Sequence, residues 1–500
     1  MSSSPTPGGV DRRTFVKTLS AAGLALGAAP AAFAQAVAPR RRFAIIGVGS
    51  RHKMYQDAIE KTYKEHAQLV ALCDLNQGRV ELAQALSKAN GAPVPPGYSH
   101  VDYEKMIKET KPDFIIVTTV DATHADYIVR GLEAGCDVIT EKPLTTTAAM
   151  CQRILDATKK TGRHLRVCFN YRYSPPRTQV KDILMSGEIG DVLSVDFHWM
   201  LNTTHGADYF RRWHGEKKNS GGLMIHKASH HFDLVNWWLG AVPVSVYATG
   251  KREFYTPTMA KRLGLKSHHE RCHTCPEKDA CSFFYSLANN PNLKALYLDQ
   301  EKYDGYYRDQ CVWNPRIDIE DTMNVLVTYD NKITLAYSLN AFNAWEGYHI
   351  VFNGTQGRLE HTIVEQLYVN GTTSEASQGA IAENGVTTRV IPLRGEPKKY
   401  EPWTGTGGHG GGDKVMLDEI FLPDAPADKY LRASNEHAGA NSILIGVAAN
   451  ECFKSGQPVK IADLVHGLER PKYAPMPSRT GPVPMPPRLQ IKRPGGESSG

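Results

Sequence analysis

Residues 40–76 read RRRFAIIGVGSRHKMYQDAIEKTYKEHAQLVALCDLN, and this stretch decides the fold. The short apolar run 43–46 has the composition of a strand buried on both faces. Gly47-Val48-Gly49 follows at once, then a helix-length segment, then a second apolar run, 69–73, closed by Asp74. Strand, glycine turn, helix, strand and acid is the order of a dinucleotide-binding unit. The tight turn lets backbone amides and a helix N-terminus approach a pyrophosphate, and the acid reaches the adenosine ribose hydroxyls. Gly47, Gly49, Ser50, Arg51 and Asp74 are therefore candidate cofactor ligands. His52 stands where G-x-G-x-x-G has its third glycine, so the first helix must pack on the sheet by other means. An ordinary strand-to-helix turn is the plainer alternative, but the flanking strands and the acid favour the dinucleotide. A carboxylate at position 74 repels a 2′-phosphate, which favours NAD over NADP, with Arg51 acting the other way.

The alternation continues. Helices are expected at 80–88, 103–109 and 124–134, and strands at 114–117 and 137–140. The strand at 114–117 runs into Thr118-Thr119-Val120-Asp121-Ala122-Thr123-His124, and that at 137–140 into Glu141-Lys142-Pro143. This rhythm predicts an α/β domain over 40–165 with a doubly wound parallel sheet, whose ligands sit at the carboxyl ends of the strands. A lysine at a strand end is ordinarily a solvated charge. Beside a reacting hydroxyl it eases loss of the proton and stabilises developing alkoxide charge.

Residues 1–36 read as an export signal rather than as part of the fold. Arg12-Arg13-Thr14-Phe15-Val16-Lys17 resembles a twin-arginine signal, an Ala/Gly/Leu-rich stretch follows, and Ala32-Phe33-Ala34 offers a cleavage site. The stretch is too short and too alanine-rich for a membrane anchor, which needs about 20 apolar residues. A periplasmic or secreted protein, handed folded to the twin-arginine machinery and carrying its cofactor, is expected. Losing residues 1–34 removes Arg12, Arg13, Lys17 and Asp11, so the formal charge falls from +6 to +4. That is too little and too dispersed for a nucleic-acid partner.

The two-glycine turn, the T-x-x-x-x-H segment from Thr119 to His124 and Glu141-Lys142-Pro143 together resemble the Gfo/Idh/MocA oxidoreductases, the relatives of glucose–fructose oxidoreductase and inositol dehydrogenase. The resemblance implies that Lys142 meets the nicotinamide ribose and the substrate hydroxyl, and that Pro143 fixes the turn. Thr119, His124 and Glu141 join the cofactor site. This chain has Thr119-Val120-Asp121 where the family usually has Thr-Pro-Asn. The resemblance also implies a second domain over 166–465, α+β with a large open, mainly antiparallel sheet. Its outer face would make subunit contacts, so a homo-oligomer is expected. The alternation in 323–360 fits such a sheet, with turns at 330–332 and 354–357.

Several candidates for a substrate site lie in that domain. Asn170 and Arg172 follow a predicted strand-to-loop crossing. The polar, aromatic segment 205–222 reads as a loop, either solvated or sugar-binding, with Tyr209, Arg211, Arg212, Trp213 and His214 as candidates. In 221–233, helical spacing puts His226, His230 and Asp233 on one face, with Lys227 and His231 one step round. The family pattern there is G-G-x-x-x-D-x-G-x-H-x-x-D. It implies His230 as acid/base, with His226 standing in for the carboxylate. Satisfied core histidines are the alternative, and a His226/His230 metal pair ranks last for want of a third ligand. The glycine run 407–412 is either a flexible linker or a backbone that brings His409 to the pocket.

An insertion at about 265–315 carries Cys272, Cys275, Cys281 and Cys311, a spacing suited to structural zinc or to two disulfides, with iron–sulfur less favoured. From 466 the chain is proline-rich and basic without apolar period, and is expected to be disordered. The sum is an exported nicotinamide-dependent oxidoreductase acting on a sugar, glycoside or cyclitol. A redox-neutral NAD-dependent glycosidase and a noncatalytic sugar-binding protein are the alternatives.

Overall fold

The computed structural model describes residues 39–369 and 380–489; the stretch 1–36, expected to be an export signal, and the last residues, 490–500, lie outside them. The first sheet is built from β1 (Arg41–Ile46), β2 (Ala67–Asp74), β3 (Gly97–Ser99), β4 (Phe114–Val117), β5 (Asp137–Glu141) and β6 (Leu165–Cys168). Its order is β3-β2-β1-β4-β5-β6 and every pairing is parallel, the doubly wound arrangement that the alternation predicts. Phe43, Ala44, Ile45, Ile46, Ile115, Ile116 and Val117 are at most 1% exposed, because helices cover both faces. The strand order reverses at β1, so the turns after the central strands β1 and β4 meet at the carboxyl ends of the strands.

The second sheet contains β7 (Val192–Asn202), β8 (Pro243–Lys251), β9 (Thr322–Tyr329), β10 (Thr334–Asn343), β11 (Glu346–Gly354), β12 (Gly357–Gln366), β13 (Val386–Pro392), β14 (Lys398–Tyr400) and β15 (Val459–Lys460). The order is β14-β13-β12-β11-β7-β10-β9-β8-β15, with β7–β10 parallel and the other pairs antiparallel. Alternate residues of β9 and β12 are buried, as a sheet with one covered face requires. The covered face carries Trp199, Tyr337 and Tyr348, packed under the helices Ala228–Leu239 and Glu436–Ser455.

Three expectations change. The segment 205–222 is not a loop: Thr203–Arg211 is a helix, capped where the Asn202 side chain accepts the Thr204 and His205 amides, and shorter helical turns follow. The stretch 221–233 is not one helix, because it breaks at Lys227 between Leu223–His226 and Ala228–Leu239. The described part of the tail, 466–489, is seated rather than disordered. Ala474 is buried, Arg479 donates to the Val192 carbonyl and Gln356 to the Pro484 carbonyl.

Candidate active site

The glycine turn after β1 lies flat on the turn after β4. At Gly47 φ is 88°, and a Cβ would stand 2.8 Å from the backbone of Thr118 and Thr119. Thr118 Oγ1 donates to the Gly47 carbonyl at 2.5 Å. His52 replaces the missing third glycine by folding its ring back, with Nδ1 on the Gly49 carbonyl and Nε2 against Gln56. Asp74 braces the turn: Oδ2 accepts the Val48 amide at 2.6 Å and Oδ1 the Asn76 amide at 2.7 Å. Burial raises this carboxyl's pKa, opposed by those amides and by Arg79. A close backbone approach and an acid at the end of β2 are what a dinucleotide requires, and the residues present fit it.

Glu141, ending β5, accepts Arg51 Nε at 2.6 Å and the Tyr55 hydroxyl at 2.8 Å. Arg51 also stands 3.5 Å from Asp413 Oδ1. Asp413 in turn accepts Asn170 Nδ2 at 2.7 Å and pairs with His409 Nδ1 at 2.8 Å. Burial alone would raise Asp413, but His409, Arg51 and Asn170 hold it well below the ordinary carboxylate range. The glycine run is thus a packed turn rather than a linker: a Cβ on Gly412 would meet the Asn170 carbonyl at 2.3 Å. His124 ties the two strand-end turns, with Nδ1 2.8 Å from the Pro143 carbonyl and Nε2 3.1 Å from that of Thr119.

Beside these turns stands the cluster with the most chemistry. Lys142 Nζ donates to the His226 carbonyl at 3.1 Å and lies 3.5 Å from His226 Nε2. His226 Nδ1 lies 2.5 Å from Asp121 Oδ2. Burial pulls Lys142 down to about 8, against the opposing charges of Asp121 and Glu141. Burial also pushes Asp121 up and His226 down. In the tautomer that donates Nδ1–H to Asp121, Nε2 presents a lone pair toward Lys142. The ring of His214 lies 4.2 Å from that of His226, with Tyr209 and Trp213 edge-on at 5.4 and 5.7 Å. Arg212, by contrast, is tied to Asp208 at 2.9 Å.

Other sequence candidates divide between this site and the core. His226 and His230 both feel the charge of Lys142, which after burial lowers the pKa of each imidazole. His230 stacks on Tyr171 at 4.3 Å, with the His409 ring 6.5 Å away. Asp233 takes two guanidinium bonds from Arg172, at 2.7 and 2.6 Å, and both side chains are 1% exposed. His231 meets the Tyr337 hydroxyl at 2.7 Å and stacks on Trp199 at 4.0 Å. Arg172, Asp233 and His231 are therefore ties inside the core rather than substrate contacts. Lys227 Nζ sits over the Trp199 ring, 4.7 Å from its centroid, and burial lowers its pKa. Asp121 has no role assigned from the sequence, although the departure from Thr-Pro-Asn marks its place.

The zinc expectation is not supported. Among the described residues no group of three or more His, Cys, Asp or Glu side chains is placed to hold a metal. Cys272, Cys275, Cys281 and Cys311 border one small cavity as free thiols, so the disulfide alternative is not formed either. Burial pushes the thiols of Cys272, Cys275 and Cys311 up.

Residues 41–169 match the model of the oxidoreductase family GFO_IDH_MocA, NAD-binding Rossmann fold, and residues 181–461 match the model of its C-terminal alpha/beta domain. YteT of Bacillus subtilis (strain 168) is 34% identical over 426 residues, covering 84% of this chain and 97% of that one. An inositol 2-dehydrogenase of Salmonella paratyphi B is 32% identical over 196 residues, which is 39% of this chain and 53% of that one. Among solved structures, the aldose-aldose oxidoreductase from Caulobacter crescentus superposes with a TM-score of 0.56 at 17% identity, covering 84% of this chain and all of that one.

Proposed function

The chain belongs to the Gfo/Idh/MocA family of NAD-binding oxidoreductases, and from that premise we propose that it is exported folded and interconverts a hydroxyl and a carbonyl of a sugar, glycoside or cyclitol. The observation that carries the reading is the chain Lys142–His226–Asp121, in which His226 of the helix Leu223–His226 joins residues that follow β4 and β5. The dinucleotide would be held by the 47–51 turn, Asp74, Thr119 and the 141–143 segment. When bound, the nicotinamide supplies the hydride acceptor. Asp74 favours NAD, because its carboxylate opposes a 2′-phosphate.

The residues' own part is proton transfer and positioning. Neutral Lys142 takes the hydroxyl proton, and His226 Nε2 is the next acceptor along the line. Asp121 fixes the His226 tautomer through Nδ1 and balances the charge that arrives. In the reducing direction, protonated Lys142 returns the proton to the forming hydroxyl. Tyr209, Trp213 and His214 offer flat faces to the C–H side of a sugar ring, while Asn170 and His409 offer polar edges. Inositol dehydrogenases among the relatives support a polyhydroxylated substrate.

The paired arginines and the Ala32-Phe33-Ala34 site support export. Outside the cytoplasm no ready pool of free NAD exists, so the cofactor stays bound and a second carbonyl compound restores it within each cycle. The test uses the protein as purified, without added cofactor, and a panel of sugars, cyclitols and aryl glycosides. Reduced-nicotinamide absorbance should rise with a polyol and fall when a carbonyl acceptor is added. Aglycone released over many turnovers with no net absorbance change would replace this reading with glycoside cleavage, and protein that neither holds nor binds nicotinamide would overturn it.

A further inference from the structure

The cysteine-rich insertion docks on the end of the first sheet where the dinucleotide is held. Its apolar nucleus is Leu287, Leu293, Leu296 and Tyr297, packed against Leu82 of the helix after β2. The Ser50 amide donates to the Tyr297 hydroxyl at 3.2 Å, and the Ser50 and Tyr297 hydroxyls are 3.0 Å apart. That hydroxyl is also 3.4 Å from the place a Cβ on Gly49 would take. The Tyr297 hydroxyl therefore stands at the amides of the 47–51 turn, where a diphosphate held by that backbone comes within its reach.

At the adenosine end, three contacts fasten the insertion beside Asp74. Arg79 pairs with Asp304 at 2.8 Å and donates to the Leu296 carbonyl at 3.1 Å. Asn76 Nδ2 donates to the Gln300 carbonyl at 2.9 Å. Gly78 permits this approach, since a Cβ there would stand 1.9 Å from Gln300 Oε1. The Arg79–Asp304 pair has side-chain exposures of 10% and 5%, so it is little screened by solvent.

We infer that the insertion is an outer wall of the dinucleotide site, in which the Tyr297 hydroxyl is a ligand for the diphosphate and the Arg79–Asp304 pair is the clasp. The wall makes the nucleotide a slowly exchanging prosthetic group, because release requires lifting Tyr297 off the turn and parting a nearly buried ion pair. The inference rests on the nicotinamide-binding reading and extends it to residues outside the Rossmann motif. It also gives the insertion a role that needs no metal.

The test is a chase. The full-length protein and the variants Tyr297→Phe and Asp304→Asn are loaded with NADH and mixed with a large excess of NAD⁺, and the decay of bound-NADH fluorescence gives the release rate. Each variant should release NADH at least about tenfold faster than the parent, the scale expected for one charge-assisted contact. Equal rates in all three proteins overturn the clasp while leaving nicotinamide binding intact. No binding of NADH by any of them overturns the nicotinamide reading and the clasp with it. Tyr297→Phe keeps the ring and the packing, so it carries the test if Asp304→Asn folds poorly.

Discussion

Lys142 sets the pH behaviour of the proposed reaction. Its pKa is pulled down to about 8 by burial, so the neutral form that accepts a proton predominates only above that pH. In the oxidising direction kcat/KM should climb about tenfold per pH unit below 8 and level off above it, while carbonyl reduction, which needs the protonated lysine, should stay level below 8 and fall above it. Lys142→Met should cost about 10³-fold in kcat and leave bound nicotinamide in place, checked by absorbance of the purified protein. Asp121 tests the line behind the lysine. In Asp121→Asn the side-chain amide no longer fixes His226 with Nδ1 protonated, so kcat should fall about 10²-fold and the pH profile should change shape with little change in KM. Asp233 belongs to a different class, because it neutralises Arg172 in the core. Asp233→Ala leaves a buried guanidinium unpaired and should lower stability by about 3–5 kcal/mol in urea unfolding. The folded fraction should keep its KM, which separates a core tie from a substrate ligand.

Elements whose burial follows a simple period were legible in the sequence. β1, β2, β4 and β5 are apolar runs punctuated by glycine or acid, so their place in a parallel sheet and the position of the cofactor turn could be read directly. The helix Thr203–Arg211 could not, because its buried side mixes His205 and Arg211 with Ala207, Tyr209 and Phe210, which hides the apolar period even though the Asn202 cap is local. The histidine stretch misled for another reason. An unbroken helix is the simplest projection of 221–233, but the helix lapses at Lys227, and His226 meets Asp121 while Asp233 meets Arg172. The glycine run was ambiguous because composition does not distinguish a mobile linker from a crowded turn. Its crowding makes a prediction at this scale. In Gly412→Ala the new methyl group would press on the Asn170 carbonyl, displacing Asp413 and with it His409 and Arg51. Strain of this kind costs about 1–3 kcal/mol. The variant should melt lower and bind substrate more weakly, read as a raised KM.

Across the whole molecule, the tail closes the second domain over a buried lysine. Lys181 Nζ donates to the carbonyls of Trp237 at 2.7 Å and Trp238 at 3.2 Å, capping the helix Ala228–Leu239, and it lies 3.0 Å from Met476 Sδ of the tail. Tyr473 and Met476 lie against Gly240 at the same helix end, and Arg470 pairs with Asp330. An extended strap of this kind buries single side chains at irregular spacing, which is why no apolar period marks it. Ending the chain after Glu469 should remove the cover from Lys181 and lower the melting temperature. The loss should also depend on pH. Burial pulls Lys181 down to about 7 in the folded chain, whereas a lysine in the unfolded chain titrates near 10.4. Between these values the unfolded state binds a proton that the folded state does not, so the stability of the full-length protein gains with rising pH. Below about 7 the lysine is charged in both states and the tail's seating bears the full cost of burying it. The truncated protein, with Lys181 open to water, lacks this term. The difference in urea-unfolding free energy between the two proteins should therefore widen from pH 6.5 to pH 9 by roughly 1–3 kcal/mol. A difference that stays constant over that range would mean that the tail does not control the environment of Lys181.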